Sequence, residues 1–314
     1  MKAVLHYRAS DGFHAILEES RPADIDVVVV DEADDAAFAE AMRDADALLH
    51  VLRPVAAEDI ASAPRLRLIQ KIGVGVNTID LEAAKRRGVA VCNMPGTNSQ
   101  AVAEMTLALM LAALRRISYF DPLTRRGDGW RPAMAELDRI GEIGGRTIGL
   151  VGYGAVPRRL SPVLRVLGAR VLYTARGPKP GAEADYAPLD ALLAQSDVVS
   201  LHCPATPETR GMIDAAAIAR MKPGAILVNT ARGELVDEAA LCEALRSGRL
   251  AAAGLDVFAR EPASAATELF TLPNVIVMPH IAWLTPETLR RSMTVAFENC
   301  RRVMTGEEPL HRVV

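Results

Sequence analysis

Along the chain, short unbroken apolar runs alternate with segments whose apolar positions recur every three or four residues. Strands buried on both faces of a parallel sheet read as continuous apolar runs, so the pattern predicts an α/β protein. In the first third, strands are expected at 3–7, 26–30, 47–52, 66–72 and 89–92, with helices at 34–43 and 81–87 between them. Asn98 or Ser99 can cap a long helix running through Arg116, with Glu104 near its start and Arg115 and Arg116 at its end, as the helix dipole favours. From Thr147 the pattern restarts, predicting strands at 147–151, 170–173, 198–201, 225–229, 252–256 and 275–278. Two doubly wound parallel-sheet domains follow, divided as 1–97 plus 285–314 and as 98–284, with a cleft between them. The polar, glycine-containing stretch 121–144 and the turn after Pro279 read as linkers.

The length of 314 residues suits two such domains, and 50% hydrophobic with 24% charged residues excludes intrinsic disorder. A net charge of -3 and a pI near 6.1 give no basic excess, so no nucleic-acid partner is expected. No membrane partner is expected either. The longest apolar stretch, 101–114, contains Glu104 and falls short of the roughly 20 residues that cross a bilayer. Cys92, Cys203, Cys242 and Cys300 lie far apart without a CxxC, indicating neither disulfides nor a metal site and fitting a reducing cytoplasm. The N-terminus lacks the pattern of a cleaved leader and reads as a first strand.

Gly152-Tyr153-Gly154-Ala155-Val156-Pro157 follows an apolar strand and opens a helical segment, where a pyrophosphate can approach backbone N–H groups at a helix N-terminus. The third glycine of such a turn is replaced by Pro157, and the segment reads either as a phosphate cradle or as an ordinary tight turn. At the end of the next strand, where an acidic side chain would accept hydrogen bonds from an NAD ribose, the sequence has Ala175 and Arg176 with Lys179 close behind. That substitution favours NADP, with NAD possible; the alternative reading of these cations is a solvated loop. Arg232, Glu261 and His280 each follow a predicted strand, at the edge where open α/β sheets place ligands. Singly they read as a surface salt-bridge pair and a turn histidine; together they can hold a carboxylate and deliver a proton. Arg53, near the end of an N-terminal strand, is a candidate contact for a larger anionic substrate such as a phosphoester.

With these motifs in order, the chain resembles the D-isomer-specific 2-hydroxyacid dehydrogenase family over about residues 66–288. Lys71-Ile72-Gly73-Val74-Gly75-Val76-Asn77 is similar to the family's substrate loop, and Asn98-Ser99-Gln100-Ala101-Val102-Ala103-Glu104 to the start of its interdomain helix. Leu201-His202-Cys203-Pro204, Asn229-Thr230-Ala231-Arg232-Gly233, Glu261-Pro262 and Pro279-His280 follow in the family's order. The resemblance implies a flavodoxin-like substrate lobe, a Rossmann cofactor lobe, and Arg232, Glu261 and His280 as catalytic residues. It implies cofactor contacts from Thr106, Gly152, Gly154, Ala155, Val156, Ala175, Arg176, Lys179, His202, Cys203, Pro204, Thr209, Thr230, Ala231, Arg232, Asp256 and His280. Substrate contacts are implied for Val74, Gly75, Arg232 and His280. Trp283 is similar to the tryptophan of the glycerate dehydrogenase and hydroxypyruvate or glyoxylate reductase members, where it either walls a small 2-keto acid or packs at an interface. The implied activity is hydride transfer between NAD(P)H and a small 2-keto acid, in a homodimer. A phosphoglycerate-type dehydrogenase and a nucleotide-sensing corepressor-like binding module are the alternatives.

Overall fold

The computed structural model describes all residues, Met1–Val314. It begins β1 (Lys2–His6), α1 (Asp11–Ser20), β2 (Asp26–Val30), α2 (Asp35–Met42), β3 (Ala47–His50), α3 (Ala57–Ala61), β4 (Leu68–Lys71), α4 (Leu81–Arg86) and β5 (Ala90–Cys92). Then come α5 (Ser99–Arg115), α6 (Ile117–Arg125), α7 (Met134–Leu137), β6 (Thr147–Val151), α8 (Ala155–Val166), β7 (Arg170–Thr174), β8 (Asp185–Tyr186), α9 (Leu189–Gln195) and β9 (Val198–Leu201). The remainder is α10 (Ala215–Arg220), β10 (Ala225–Asn229), α11 (Glu238–Arg246), β11 (Leu250–Leu255), β12 (Val275–Val277) and α12 (Pro286–Thr305). Two compact units result, one of Met1–Asn98 with Trp283–Val314 and the other of Ser99–Ala282.

The first unit holds a five-stranded parallel sheet in the order β2-β1-β3-β4-β5, a flavodoxin-like winding. Its central strands β3 and β4 are buried at every position, including the polar residues His50, Gln70 and Lys71 at their carboxyl ends. Val4, Leu48, Ile69 and Val91 meet Phe38, Met42, Ile60 and Ala84 from the helices in one core. The helix α12 packs on α1 and β4, and the buried Asn299 amide donates to Gln70 Oε1 at 2.6 Å. Side-chain caps start many of the helices: Ser10, Asp34, Asp80, Asp214, Asp237 and Thr285 each accept a first-turn N–H, a device whose removal costs about 1 kcal/mol.

The second unit holds seven parallel strands in the order β12-β11-β10-β9-β6-β7-β8, which is the Rossmann winding with one added strand. Alternate residues of β10 serve opposite faces, Leu227 joining one apolar cluster while Ile226 and Val228 join the other. Helices therefore cover both sides.

Three sequence expectations are revised. The stretch 121–144, read as a linker, carries the end of α6, a 3-10 turn at Asp128–Trp130 and α7. Its glycines suggested loop, and none of residues 117–142 is buried, so no core-facing stripe advertises these helices. The strand β8 was not expected because it is two exposed residues long, and α12 was overlooked although Thr285 and Pro286 form a cap-and-proline start.

Candidate active site

Because all seven strands run parallel, the residues that follow them emerge along a single edge, and the winding reverses between β6 and β9. Ligands of open α/β sheets bind at that point. Gly152 follows β6 at φ 102°, and a Cβ there would stand 2.7 Å from the His202 carbonyl oxygen, so only glycine lets the ends of β6 and β9 close up. At Gly154, by contrast, a Cβ would have nothing within 4 Å. The space lies open over the N-terminus of α8, whose first N–H groups, from Ala155 and Val156 onward, have no helical acceptor. Pro157 is buried inside the first turn of an intact helix, where a missing N–H is no loss. The cradle fits a dinucleotide pyrophosphate.

Around it stand the other coenzyme candidates. Ala175 is half-buried beyond β7, and Arg176 is exposed with no ion pair. Lys179 is held through its backbone N–H by the Tyr173 hydroxyl at 2.6 Å. Thr106 on α5 is fully buried, and its Oγ1 lies 2.8 Å from Thr230 Oγ1, so these two hydroxyls bind each other. His202 hydrogen-bonds Ser200 Oγ at 3.0 Å through Nε2, and burial pushes its imidazole down to about 3, making it a neutral wall. Cys203 donates to the Met212 sulfur at 3.7 Å, and Thr209 Oγ1 donates to the exposed Pro204 carbonyl at 2.7 Å.

Three loops of the same edge carry the acid–base candidates. His280 Nδ1 and Glu261 Oε2 are 2.6 Å apart, and the other oxygen of Glu261 accepts the Phe258 N–H at 2.9 Å. Burial alone would raise the Glu261 pKa, but the His280 hydrogen bond and charge, the Phe258 N–H and the Arg232 cation outweigh it and hold the carboxyl below its usual range. His280 sits at φ 57°, and its loop is pinned by Asp256, which is 1% exposed. The Asp256 carboxylate accepts from Ile281 N at 2.9 Å and Ala282 N at 3.0 Å, while its carbonyl accepts from His280 N. Burial raises the Asp256 pKa against the opposing pull of those two N–H groups.

Arg232 donates from Nη1 to the Ala231 carbonyl at 2.6 Å, and burial lowers its pKa against the attraction of Glu234 and Glu261. Its loop depends on a residue the sequence did not single out. Asn229, 1% exposed at the end of β10, accepts from Ala231 N at 3.0 Å and donates to the Arg232 carbonyl at 2.8 Å. A polar residue closing the run Ala-Ile-Leu-Val-Asn was the available signal. Gly233 closes the same loop, where a Cβ would lie 1.8 Å from the Phe258 carbonyl carbon.

The remaining candidates belong to the first unit. Gly73 is at φ 142°, and the loop after it is tied through its carbonyls, Gly73 O accepting from Met94 N and Val74 O from Asn93 Nδ2. Arg53 is engaged: its guanidinium pairs with Asp35 at 2.6 Å and lies 5.3 Å from the Phe38 ring centroid. Trp283 is 8% exposed and meets Tyr7 edge-on at 6.2 Å.

Residues 107–282, more than half of the chain, match the model of the D-isomer-specific 2-hydroxyacid dehydrogenase NAD-binding domain. The chain is 41% identical over 288 residues to a D-3-phosphoglycerate dehydrogenase of Mycobacterium leprae, covering 90% of this chain but only 54% of that protein, so it spans about half its length. A glyoxylate reductase of Aeropyrum pernix is 40% identical over 279 residues, covering 85% of this chain and 82% of that one. A crystal structure of a Thermus thermophilus protein superposes with a TM-score of 0.87 at 37% identity over the full length of both chains. With the strand order, the glycine turn and the Arg–Glu–His edge in place, this chain belongs to the D-isomer-specific 2-hydroxyacid dehydrogenase family of NAD-dependent oxidoreductases.

Proposed function

We propose that the protein reduces a small 2-keto acid, glyoxylate or hydroxypyruvate, to the D-2-hydroxy acid with a nicotinamide coenzyme. The 2.6 Å contact between His280 Nδ1 and Glu261 carries the reading. With Nδ1 committed to the carboxylate, the proton for the substrate oxygen leaves from Nε2, and Glu261 both orients the ring and balances its charge. Arg232, partly desolvated beside Glu261, offers a planar fork to the substrate carboxylate. The coenzyme would be held by Gly152, Gly154 and the N-terminus of α8, and supplies the hydride when bound. Engagement of Arg53 by Asp35 disfavours a phosphoester, and so favours the smaller acids over 3-phosphoglycerate. The test is oxidation of NADPH and NADH with glyoxylate, hydroxypyruvate, pyruvate and phenylpyruvate. Turnover should be highest with one of the first two; consumption of neither coenzyme with any of the four overturns the reading.

NADPH is the proposed preference. Ala175 places no carboxylate where the 2′-phosphate would lie, and Arg176 is exposed and unpaired there. A forked contact to a phosphate, worth about 1.5 to 3 kcal/mol, corresponds to a preference of about tenfold or more. Arg176→Ala should remove most of it and Ala175→Asp should shift it toward NADH; a wild type that prefers NADH defeats this part.

The protein is further proposed to form a homodimer through residues 117–142, within the cofactor unit. A nine-residue α6 and a shorter α7 are not stable alone in water, yet none of their residues is buried, and Ile117, Trp130, Met134, Leu137 and Ile140 are exposed. The segment interleaves Asp121, Asp128, Glu136, Asp138 and Glu142 with Arg125, Arg126, Arg131 and Arg139, nearly balanced with one negative charge in excess, so a second copy meets little repulsion and an anionic polymer or lipid finds no basic face. A solution mass near 33.7 kDa by light scattering would exclude the dimer. Four free cysteines fit a cytoplasmic setting.

A further inference from the structure

Between β7 and β8 runs a strap, residues 175–184, that carries Arg176 and Lys179 but is poorly supplied with weight to hold it in place. None of its residues is buried; it contains Gly177, Pro178, Pro180 and Gly181, and the side chains it turns onto the core are the alanines 175, 182 and 184. Ordering such a segment runs against its conformational entropy, so something specific must fix it. Two phenol oxygens do. The Tyr173 hydroxyl accepts the Lys179 N–H at 2.6 Å, and the Tyr153 hydroxyl accepts the Glu183 N–H at 2.9 Å. Both rings are nearly sealed, at 2% and 6% exposure, and their centroids are 4.2 Å apart at a tilt of 35°. Arg158 on α8 lies over the Tyr153 ring, its guanidinium carbon 5.2 Å from the centroid. The far end of the strap is secured by ladder bonds, Ala187 N donating to Tyr173 O at 2.9 Å.

Tyr153 stands between the two glycines of the phosphate turn, and Tyr173 stands on β7 beside the residues that select the coenzyme's ribose substituent. One stacked pair of rings thus joins the pyrophosphate cradle to the strap. We infer that Tyr153 and Tyr173 are positioning residues for the adenosine end of the coenzyme, their hydroxyls fastening the strap and thereby setting where Arg176 and Lys179 stand. The inference rests on the coenzyme site proposed above. It assigns discrimination of the 2′-substituent to two buried oxygens that do not themselves carry charge, acting through the backbone they hold.

Tyr→Phe at either position keeps the ring and removes only the oxygen. The probes are adenosine 2′,5′-bisphosphate and 5′-AMP, titrated calorimetrically into wild type, Tyr153→Phe, Tyr173→Phe and the double variant, with melting temperature and kinetics measured alongside. Loss of one fixing hydrogen bond should weaken bisphosphate binding about fivefold in each single variant and more than tenfold in the double, with a smaller loss for AMP. The KM for the coenzyme should rise in step while kcat at saturating coenzyme changes less than twofold. Unchanged affinity for both probes in the double variant overturns the inference, as does a loss that falls equally on affinity, kcat and melting temperature. A single variant decides the matter if the double does not fold. Should wild type bind the bisphosphate no tighter than AMP, the NADP preference fails alone, and the strap is then judged by AMP affinity: a fall supports it and no change refutes it.

Discussion

At the carboxyl edge of the seven-stranded sheet, Asn229, Asp256 and Glu261 commit each side-chain oxygen to a backbone N–H or to His280. The same edge of the five-stranded sheet is built differently. His6 and His50, register partners on β1 and β3, are each 1% exposed, and both nitrogens of His6 and Nδ1 of His50 have no hydrogen-bond partner. His6 instead stacks on Phe38 at 3.8 Å and 8°, while His50 uses Nε2 on the Arg53 carbonyl at 2.7 Å. Burial, helped by Arg53, pushes the His6 imidazole down to about 4; burial, helped by Lys71, pushes His50 to about 3. The difference teaches what each edge can hold. A fully bonded edge can keep a carboxylate ionised beside an imidazole, whereas a sealed edge with unmatched nitrogens loses stability as they are protonated.

The largest effect should come from removing the proposed proton donor of the bonded edge. His280→Asn is expected to cut turnover by the roughly 10² to 10⁴ that general acid catalysis supplies, with calorimetric coenzyme affinity nearly intact. Wild-type turnover would end the assignment. Next, Arg232→Lys keeps charge but loses the planar fork, so kcat/KM for the keto acid should fall about ten- to a hundredfold, chiefly through KM. A kinetically silent lysine would mean that the guanidinium does not grip substrate.

The brace beneath that arginine can be tested by stability. Asn229→Ala strips the Ala231 N–H and the Arg232 carbonyl of their partners, and urea denaturation should show a loss of about 1 to 3 kcal/mol together with a raised KM. An unaltered midpoint would show that the loop does not depend on it.

The last effect separates the two edges by pH. Because the folded pKa values of His6 and His50 lie below the usual 6.5, the unfolded chain takes up protons that the folded chain refuses as pH falls from about 6.5 to 4. Stability is therefore full above that window and declines within it, by at most about 1.4 kcal/mol per pH unit for each group. Glu261 is depressed from the carboxylate range, so its contribution persists across the same window and is lost only in stronger acid. His202, after β9, adds one such imidazole to the seven-stranded sheet against two in the five-stranded one. Hydrogen exchange at pH 5 should thus loosen β1 and β3 more than β10 and β11, and His6→Phe should flatten the acid slope while keeping the stack. Equal loosening of the two sheets would refute the contrast.

The bonded edge was also the more legible one. Strands such as β9 and β10 are buried at every position, so their apolar runs mark their own ends, and whatever polar residue follows a run falls on the ligand edge by topology. That is how Arg232, Glu261 and His280 could be placed along one edge from the sequence. The contacts of Arg53 with Asp35 and of Trp283 with Tyr7 were not legible, because such partners are chosen by tertiary packing and leave no trace in spacing. The bonds that hold the strap escaped notice for a related reason: a tyrosine in an apolar run looks like core, and nothing local shows where its oxygen points.

Gly233 gives one more consequence of how the edge is assembled. Its missing side chain acts as a gauge block, since the backbone at Phe258 and Ala259 occupies the volume a methyl group would need, within 1.8 to 2.3 Å. The spacing between the strand end that presents the arginine and the one that leads to the glutamate is therefore written into the chain as an absence. In sequence space the position is closed to all nineteen alternatives, and it is closed by geometry rather than by chemistry, since Gly233 itself touches no reacting atom.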